Sequence, residues 1–309
     1  MDKKIILSMT TIPCRQKRLS ENISSILTQT YVFDVLLINV DDNLTDEEYQ
    51  WYNDFAKQDE RIIINKSEAK WRSCNKLLPA LKLYPDDIII TIDDDIYYPK
   101  DSIKELVEQY EKTPDCIIAH EVQPILINDN KIRYLNGLDV KLKQVEWGKY
   151  MSNCALYPPH SFDGTDLFDY DKMMYYTNGV HDELWFWLNS TLNKVKVIGL
   201  NFIRTFATDI KTPWQEGEVR LADYNNDDSI LESYMVKINE SYGKQLLEII
   251  LNDKPEFILN KDNIALFCHE YKVINSLYNY GFKLNIDDLT SGWKYTLYSL
   301  INNNNDFIY

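Results

Sequence analysis

The apolar positions of this chain come in short unbroken runs separated by amphipathic stretches. KIILSM (4–9) is such a run and reads as a first strand buried on both faces. Residues 16–29, QKRLSENISSILTQ, place Leu19, Ile23, Ile26 and Leu27 at helical spacing. VLLINV (35–40) is a second strand that ends in Asp41-Asp42. The segment TDEEYQWYNDFAKQ begins Thr-x-x-Glu, the signature of a capped helix. RIIIN (61–65) is a third strand, NKLLPALKLY (75–84) a helix and DIIITI (87–92) a fourth strand. PKDSIKELVEQYEK then supplies another helix. Apolar strands alternating with helices predict an α/β fold with a mostly parallel sheet covered on both faces.

Past residue 235 the pattern changes. YGKQLLEIIL, NIALFCHEYKVINSLYNYGF and SGWKYTLYSLI carry apolar residues at three- and four-residue steps. Ile264, Phe267, Tyr271, Ile274 and Tyr278 form one such stripe. The expected organisation is therefore one α/β domain over 1–235 and a small helical region over 236–309. The helical region has three readings: packing against the first domain, homodimerisation, or weak membrane association around residues 293–301. The final INNNNDFIY reads as a frayed end.

Charge narrows the partners. The formal net charge is −15 over 309 residues. Nucleic-acid binding rests on cationic neutralisation of phosphates, so that class is set aside. Simple adhesion to an anionic lipid surface is disfavoured for the same reason. Cys14, Cys74, Cys116, Cys154 and Cys268 are scattered and contain no CxxC, which speaks against zinc and a disulfide framework. The opening residues read as neither a signal peptide nor a membrane span, and no run reaches the roughly 18 apolar residues of a spanning helix. The expectation is a cytoplasmic protein, with the inner membrane face as a second option. The Asn-X-Ser/Thr triplets at Asn22 and Asn189 are then coincidental.

The chemistry is concentrated in TIDDDIYYP (91–99). Three adjacent carboxylates repel one another, and they stand where the fourth strand ends. In open α/β sheets ligands lie outside the carboxyl ends of the strands. There, clustered carboxylates can hold a hard divalent cation, Mn²⁺ or Mg²⁺, which in turn holds a diphosphate. An EF-hand is excluded, because the sixth-position Gly and closing Glu are missing. Taken alone, the triplet also fits a helix start with solvated acids.

The surrounding text adds a resemblance. SMTTIPCRQKRL, CNKLLPALKLYPDDIIITIDDDIYYP, CALYPPHSF and HDELWFWLNSTLNKVKVIGL resemble bacterial glycosyltransferases of the GT-A fold, the family-2-like enzymes of capsule and lipopolysaccharide assembly. The resemblance spans about residues 3 to 228. It implies a nucleotide-sugar donor, a UDP-sugar, and a saccharide or lipid-linked acceptor. It implies that Asp93 and Asp95 hold the metal, with Asp93 and Asp94 also facing the donor. Thr10, Thr11, Pro13 and Arg15, with Asp41 and Lys76, would cradle the nucleotide diphosphate. Ser152, Asn153, Cys154 and Ala155 stand where that family usually carries small glycines.

Glycosyl transfer also needs a base for the acceptor hydroxyl. The resemblance assigns Asp182 to that role, with Glu183 next in line. Both begin an aromatic helix whose dipole favours a carboxylate, and attack opposite the leaving group makes the reaction inverting. Ordinary helix capping is the bland alternative for Asp182. His160 and Trp214 are acceptor-side candidates, whereas Trp185, Phe186 and Trp187 read as core and His269 as structural. Two rival functions remain. A nucleotidyltransferase would favour a Gly-rich basic loop, and TTIPCRQ has no glycine. A non-catalytic sugar-nucleotide or glycan-binding module would keep the acidic triplet without needing Asp182.

Overall fold

The structure is a computed structural model and describes residues 3–123, 125–128, 130–134, 146–200, 208–209 and 228–253. The four apolar runs form β1 (Ile5–Thr10), β2 (Val35–Asp41), β3 (Ile62–Ser67) and β4 (Ile88–Ile92). The amphipathic stretches form α1 (Gln16–Leu27), α2 (Asp46–Ala56), α3 (Leu78–Leu83) and α4 (Ser102–Tyr110). The Thr-x-x-Glu signal is a full capping box. The Glu48 amide donates to the Thr45 hydroxyl at 3.2 Å, and the Thr45 amide donates to the Glu48 carboxylate at 2.9 Å.

The chain continues through β5 (Ile96–Tyr97), β6 (Ile117–Ala119), β7 (Val122–Gln123), the hairpin of β8 (Ile125–Asn128) and β9 (Lys131–Tyr134), β10 (Lys149–Tyr150) and β11 (Cys154–Tyr157). Next come α5 (Tyr170–Thr177), α6 (Asp182–Leu192), β12 (Val197–Gly199), β13 (Thr208–Asp209) and α7 (Asp228–Asn252). The central sheet has the order β12-β6-β11-β4-β1-β2-β3. Only β11 runs against its neighbours β4 and β6; the other pairings are parallel.

Alternate residues of these strands enter two separate cores. Leu7, Leu36, Ile38, Ile88 and Ile90 pack under α1, α2 and α4. Ile6, Leu37, Ile89 and Tyr157 pack under α3, α5, α6 and α7. Burial on both faces is why the strands read as continuous apolar text rather than as alternation. Trp185, Phe186 and Trp187 are fully buried in the second core, as expected for core rather than a sugar platform.

The boundary expected after residue 235 falls inside α7, so part of the expected helical region is one turn-for-turn continuation of that helix. Asn239 ties α7 to β9. Its side-chain carbonyl accepts the Ile132 amide at 2.8 Å, and its side-chain amide donates to the Ile132 carbonyl at 2.7 Å, as a neighbouring strand would. Further on, Asp253 accepts from the Trp147 indole at 2.8 Å and pairs with Lys196 at 3.0 Å. The remaining expected helical stretches, with His269, lie outside the described residues. Among the described residues no helix is long and apolar enough to cross a membrane.

Candidate active site

The carboxyl ends of β1, β2 and β4 lie side by side, because these strands are parallel neighbours in the order β4-β1-β2. That alignment brings the loop after β1 against the acidic triplet after β4. The triplet divides by direction. Asp94 turns inward and is 2% exposed. It accepts from the Thr11 hydroxyl at 2.7 Å and from the Arg15 guanidinium at 2.8 Å. Asp93 and Asp95 stay partly open, with side chains 27% and 24% exposed. Asp94 therefore holds the loop, and its neighbours face outward. Arg15 also lies 3.6 Å from Asp95, and its 3-10 turn, Pro13–Arg15, is opened by the proline.

Lys76 ends a second 3-10 segment, Ala69–Lys76, which is kinked at Arg72 with φ 49° and ψ −126°. A non-glycine residue in that region is strained, a feature often found at functional sites. The kink separates buried Trp71 from the buried run Ser73 to Lys76. The Lys76 ammonium sits 2.5 Å from an Asp93 oxygen and 3.4 Å from an Asp182 oxygen. It also donates to the Ser152 hydroxyl at 3.2 Å, which passes its own hydrogen to Asp182 at 3.0 Å. Asp182 opens α6 and is 4% exposed. One lysine thus joins the triplet after β4 to the start of α6.

The backbone of the triplet is fixed as well. The Asp93 amide donates to the Tyr98 hydroxyl at 2.8 Å, and the Asn22 side chain donates to the Asp93 carbonyl at 3.2 Å. Sequence reading missed Ser152, Tyr98 and Asn22 as site residues. Tyr98 lay within the quoted TIDDDIYYP, but its partner is 55 residues away, at the Asn153 carbonyl. Ser152 gave one signal, a polar residue at a position where the resembled family carries glycine.

Electrostatics follow from this packing. Burial, then the Asp94 and Asp93 charges, push Asp95 up to about 7. Burial also raises Asp94, although Arg15 and Thr11 counter it. Burial alone would lower Lys76, but Asp93 and Asp182 hold its proton more firmly than in water. For Asp182 burial works upward, yet Lys76 and the Ser152 hydroxyl outweigh it and leave the carboxyl below its ordinary value. Half-buried Glu183 is pushed up to about 7, by burial first and by Asp182 second.

A divalent cation fits this arrangement. Asp93 and Asp95 offer only oxygen donors, and their crowding is relieved by positive charge. Among the described residues no three His, Cys, Asp or Glu side chains form a ready ligand cluster. Mg²⁺ is commonly held by one or two carboxylates together with substrate phosphates.

The other expected residues fall as follows. The Thr10 hydroxyl donates to the Asn39 carbonyl at 3.1 Å, at the carboxyl end of the same strands. Asp41 ends β2 and is raised by burial and by Asp42. His160 is a correction. Its ring nitrogens lie 3.3 Å from Asp86 and 3.0 Å from Asp163. Asp86 precedes β4, so antiparallel β11 delivers His160 to the end of the sheet opposite the triplet. Trp214 lies outside the described residues.

The mostly parallel sheet flanked by helices, with acidic residues at its strand ends, fits the GT-A fold. The glycosyl transferase family 2 model matches residues 10–166, just over half of the chain, and the chain belongs to that family. Comparison with curated proteins gives no match. Among solved structures, S. aureus TarS 1–349 in complex with UDP-GlcNAc is similar at 15% identity and a TM-score of 0.49, covering 97% of this chain and 89% of that one. A longer S. aureus TarS structure is 15% identical with a TM-score of 0.47, covering 93% of this chain and 49% of that one.

Proposed function

We propose that this enzyme is a metal-dependent, inverting transferase that moves a sugar from UDP to a saccharide or lipid-linked acceptor in bacterial surface-polysaccharide synthesis. The observation that carries the reading is the Lys76 bridge. Lys76 contacts both Asp93, beside outward Asp95, and Asp182 at the carboxyl end of the sheet, which supports a single site containing the triplet and the candidate base. In this reading the loop of Thr11 and Arg15, which resembles a uridine-diphosphate cradle and packs on Asp94, receives the nucleotide together with Asp41.

In this reading Asp93 and Asp95 hold Mn²⁺ or Mg²⁺, which neutralises charge on the departing diphosphate when bound. Arg15 adds a fixed cation beside the same carboxylates. Asp182 takes the proton of the acceptor hydroxyl as that oxygen attacks the anomeric carbon, and UDP leaves from the opposite face. Glu183, titrating near neutrality, is the second candidate for that proton. The family assignment weighs against the nucleotidyltransferase and binding-module readings.

Donor hydrolysis and transfer should be measured over UDP-, GDP- and CMP-sugars with Mn²⁺ or with EDTA. The expected result is turnover with a UDP-sugar that EDTA removes, and its loss in Asp93→Ala and Asp95→Ala with the fold retained. Full turnover in EDTA rejects the metal role, and tighter calorimetric binding of GDP than of UDP rejects the donor.

A further inference from the structure

Lys76 is a buried ammonium whose two carboxylate partners belong to different halves of the site. Its side chain is 8% exposed, so little water can substitute for either partner. At 2.5 Å from Asp93 it holds an oxygen that a divalent cation would need. A cation at roughly 2.1 Å from the Asp93 oxygen that Lys76 holds would lie within about 5 Å of the ammonium. Like charges that close, in a partly buried site, repel strongly. The two cations therefore compete for the Asp93 oxygen that Lys76 holds.

We infer that Lys76 is an internal counter-cation that competes with the divalent cation for Asp93 and restrains Asp182 until the donor complex takes over its charge. This rests on the metal-dependent reading above and adds an order of events to it. Cation and diphosphate arrive together. The cation takes Asp93, the diphosphate gives the displaced ammonium a new anionic partner, and Asp182 is freed for the acceptor proton. Ser152 stays bonded to Asp182 throughout and keeps the carboxylate in place. Lys76 is a positioning residue in this scheme. A purely structural ion pair would give no competition with metal.

The test is a titration with Mn²⁺ alone, no nucleotide present, followed by the electron-spin signal of free Mn²⁺. Lys76→Met should bind Mn²⁺ on the order of tenfold more tightly than the unmodified enzyme, because the competing charge is gone. The same variant should bind UDP more weakly in saturating Mn²⁺. Lys76→Arg keeps the charge and should keep the weak Mn²⁺ binding. If the unmodified enzyme binds Mn²⁺ and Lys76→Met binds it no more tightly, the competition is overturned and the metal reading survives. If neither protein binds Mn²⁺, the competition falls, and the metal reading is decided by the EDTA and turnover measurements above. Should Lys76→Met fail to fold, the lysine ammonium ¹⁵N signal of the unmodified enzyme is followed during Mg²⁺ addition. A buried ammonium resonance that moves with site occupancy supports the displacement, and one that stays fixed at saturation overturns it.

Discussion

The Asp93 amide and the Asn153 carbonyl are joined through one hydroxyl. Tyr98 accepts from the first at 2.8 Å and donates to the second at 2.5 Å. The acidic triplet is thereby fastened to the loop that enters antiparallel β11 and carries Ser152. Tyr98 is 2% exposed, so no solvent replaces the hydroxyl once it is removed. Tyr98→Phe should cost about 1–3 kcal/mol, because it leaves a buried donor and a buried acceptor unpaired. Mn²⁺ affinity should fall with it as Asp93 loses its fixed direction. Thermal melting beside a metal titration checks both, and unchanged values in each would make the hydroxyl incidental.

Arg15 and Asp94 should behave as a coupled pair. Arg15→Met strands a carboxylate that is 2% exposed, with the Thr11 hydroxyl as its remaining bond to this loop. A buried charge that loses its partner typically costs about 3–5 kcal/mol. Adding Asp94→Asn to Arg15→Met should recover much of that loss, since a neutral amide needs no counter-charge. Denaturant unfolding of the two single variants and the double variant gives the coupling. Strict additivity would show that the two side chains do not depend on each other.

Local physics explains which parts of this molecule could be read from the chain. The Thr45–Glu48 box, the doubly buried strands and the helices α1 to α4 are set by neighbours a few residues away, and their text carries them. Asp93 to Asp95 were legible as chemistry because three adjacent carboxylates oppose ordinary burial. The inward turn of Asp94 was not, since it depends on Thr11 and Arg15 in a loop about 80 residues earlier. The direction of β11 has no local code either. CALY is apolar in either orientation, and only the path of the preceding segment decides it. His160 was misplaced for that reason: LYPP was recognised as a segment, but its strand runs away from the triplet.

Glu183 gives stability a defined slope with pH. Its carboxyl titrates near 4.5 in an ordinary setting and near 7 in the folded chain. Between those values the folded state keeps a proton that the unfolded chain has lost, so stability falls as pH rises through the window. The contribution is complete below about 4.5 and gone above about 7. Asp95, raised from 3.8 to about 7, acts in the same direction. Glu183→Gln should therefore lose less stability between pH 5 and pH 8 than the unmodified enzyme does. Melting curves across that range decide it, and an unchanged slope would mean that Glu183 ionises freely.

The choice between Asp182 and Glu183 as base can be made with Asp182→Asn. The substitution preserves the acceptor of the Ser152 hydroxyl bond, and the N-cap of α6 is His181, not Asp182, so the capping alternative for Asp182 does not apply. The diphosphate gives Lys76 an anionic partner in the donor complex, so UDP affinity should hold. If Asp182 takes the acceptor proton, kcat should drop by about 10²–10⁴-fold at every pH, the usual contribution of a positioned base. If Glu183 takes it, a different signature follows. Asp182 is the second cause of the raised Glu183 value, so neutralising it should let Glu183 ionise at lower pH. The acid limb of the kcat profile would then move down while the plateau stays near the original. Steady-state profiles from pH 5 to pH 9, beside a UDP isotherm with Mn²⁺, separate the two. A flat loss with binding retained assigns the proton to Asp182, whereas a shifted limb with turnover retained moves it to Glu183.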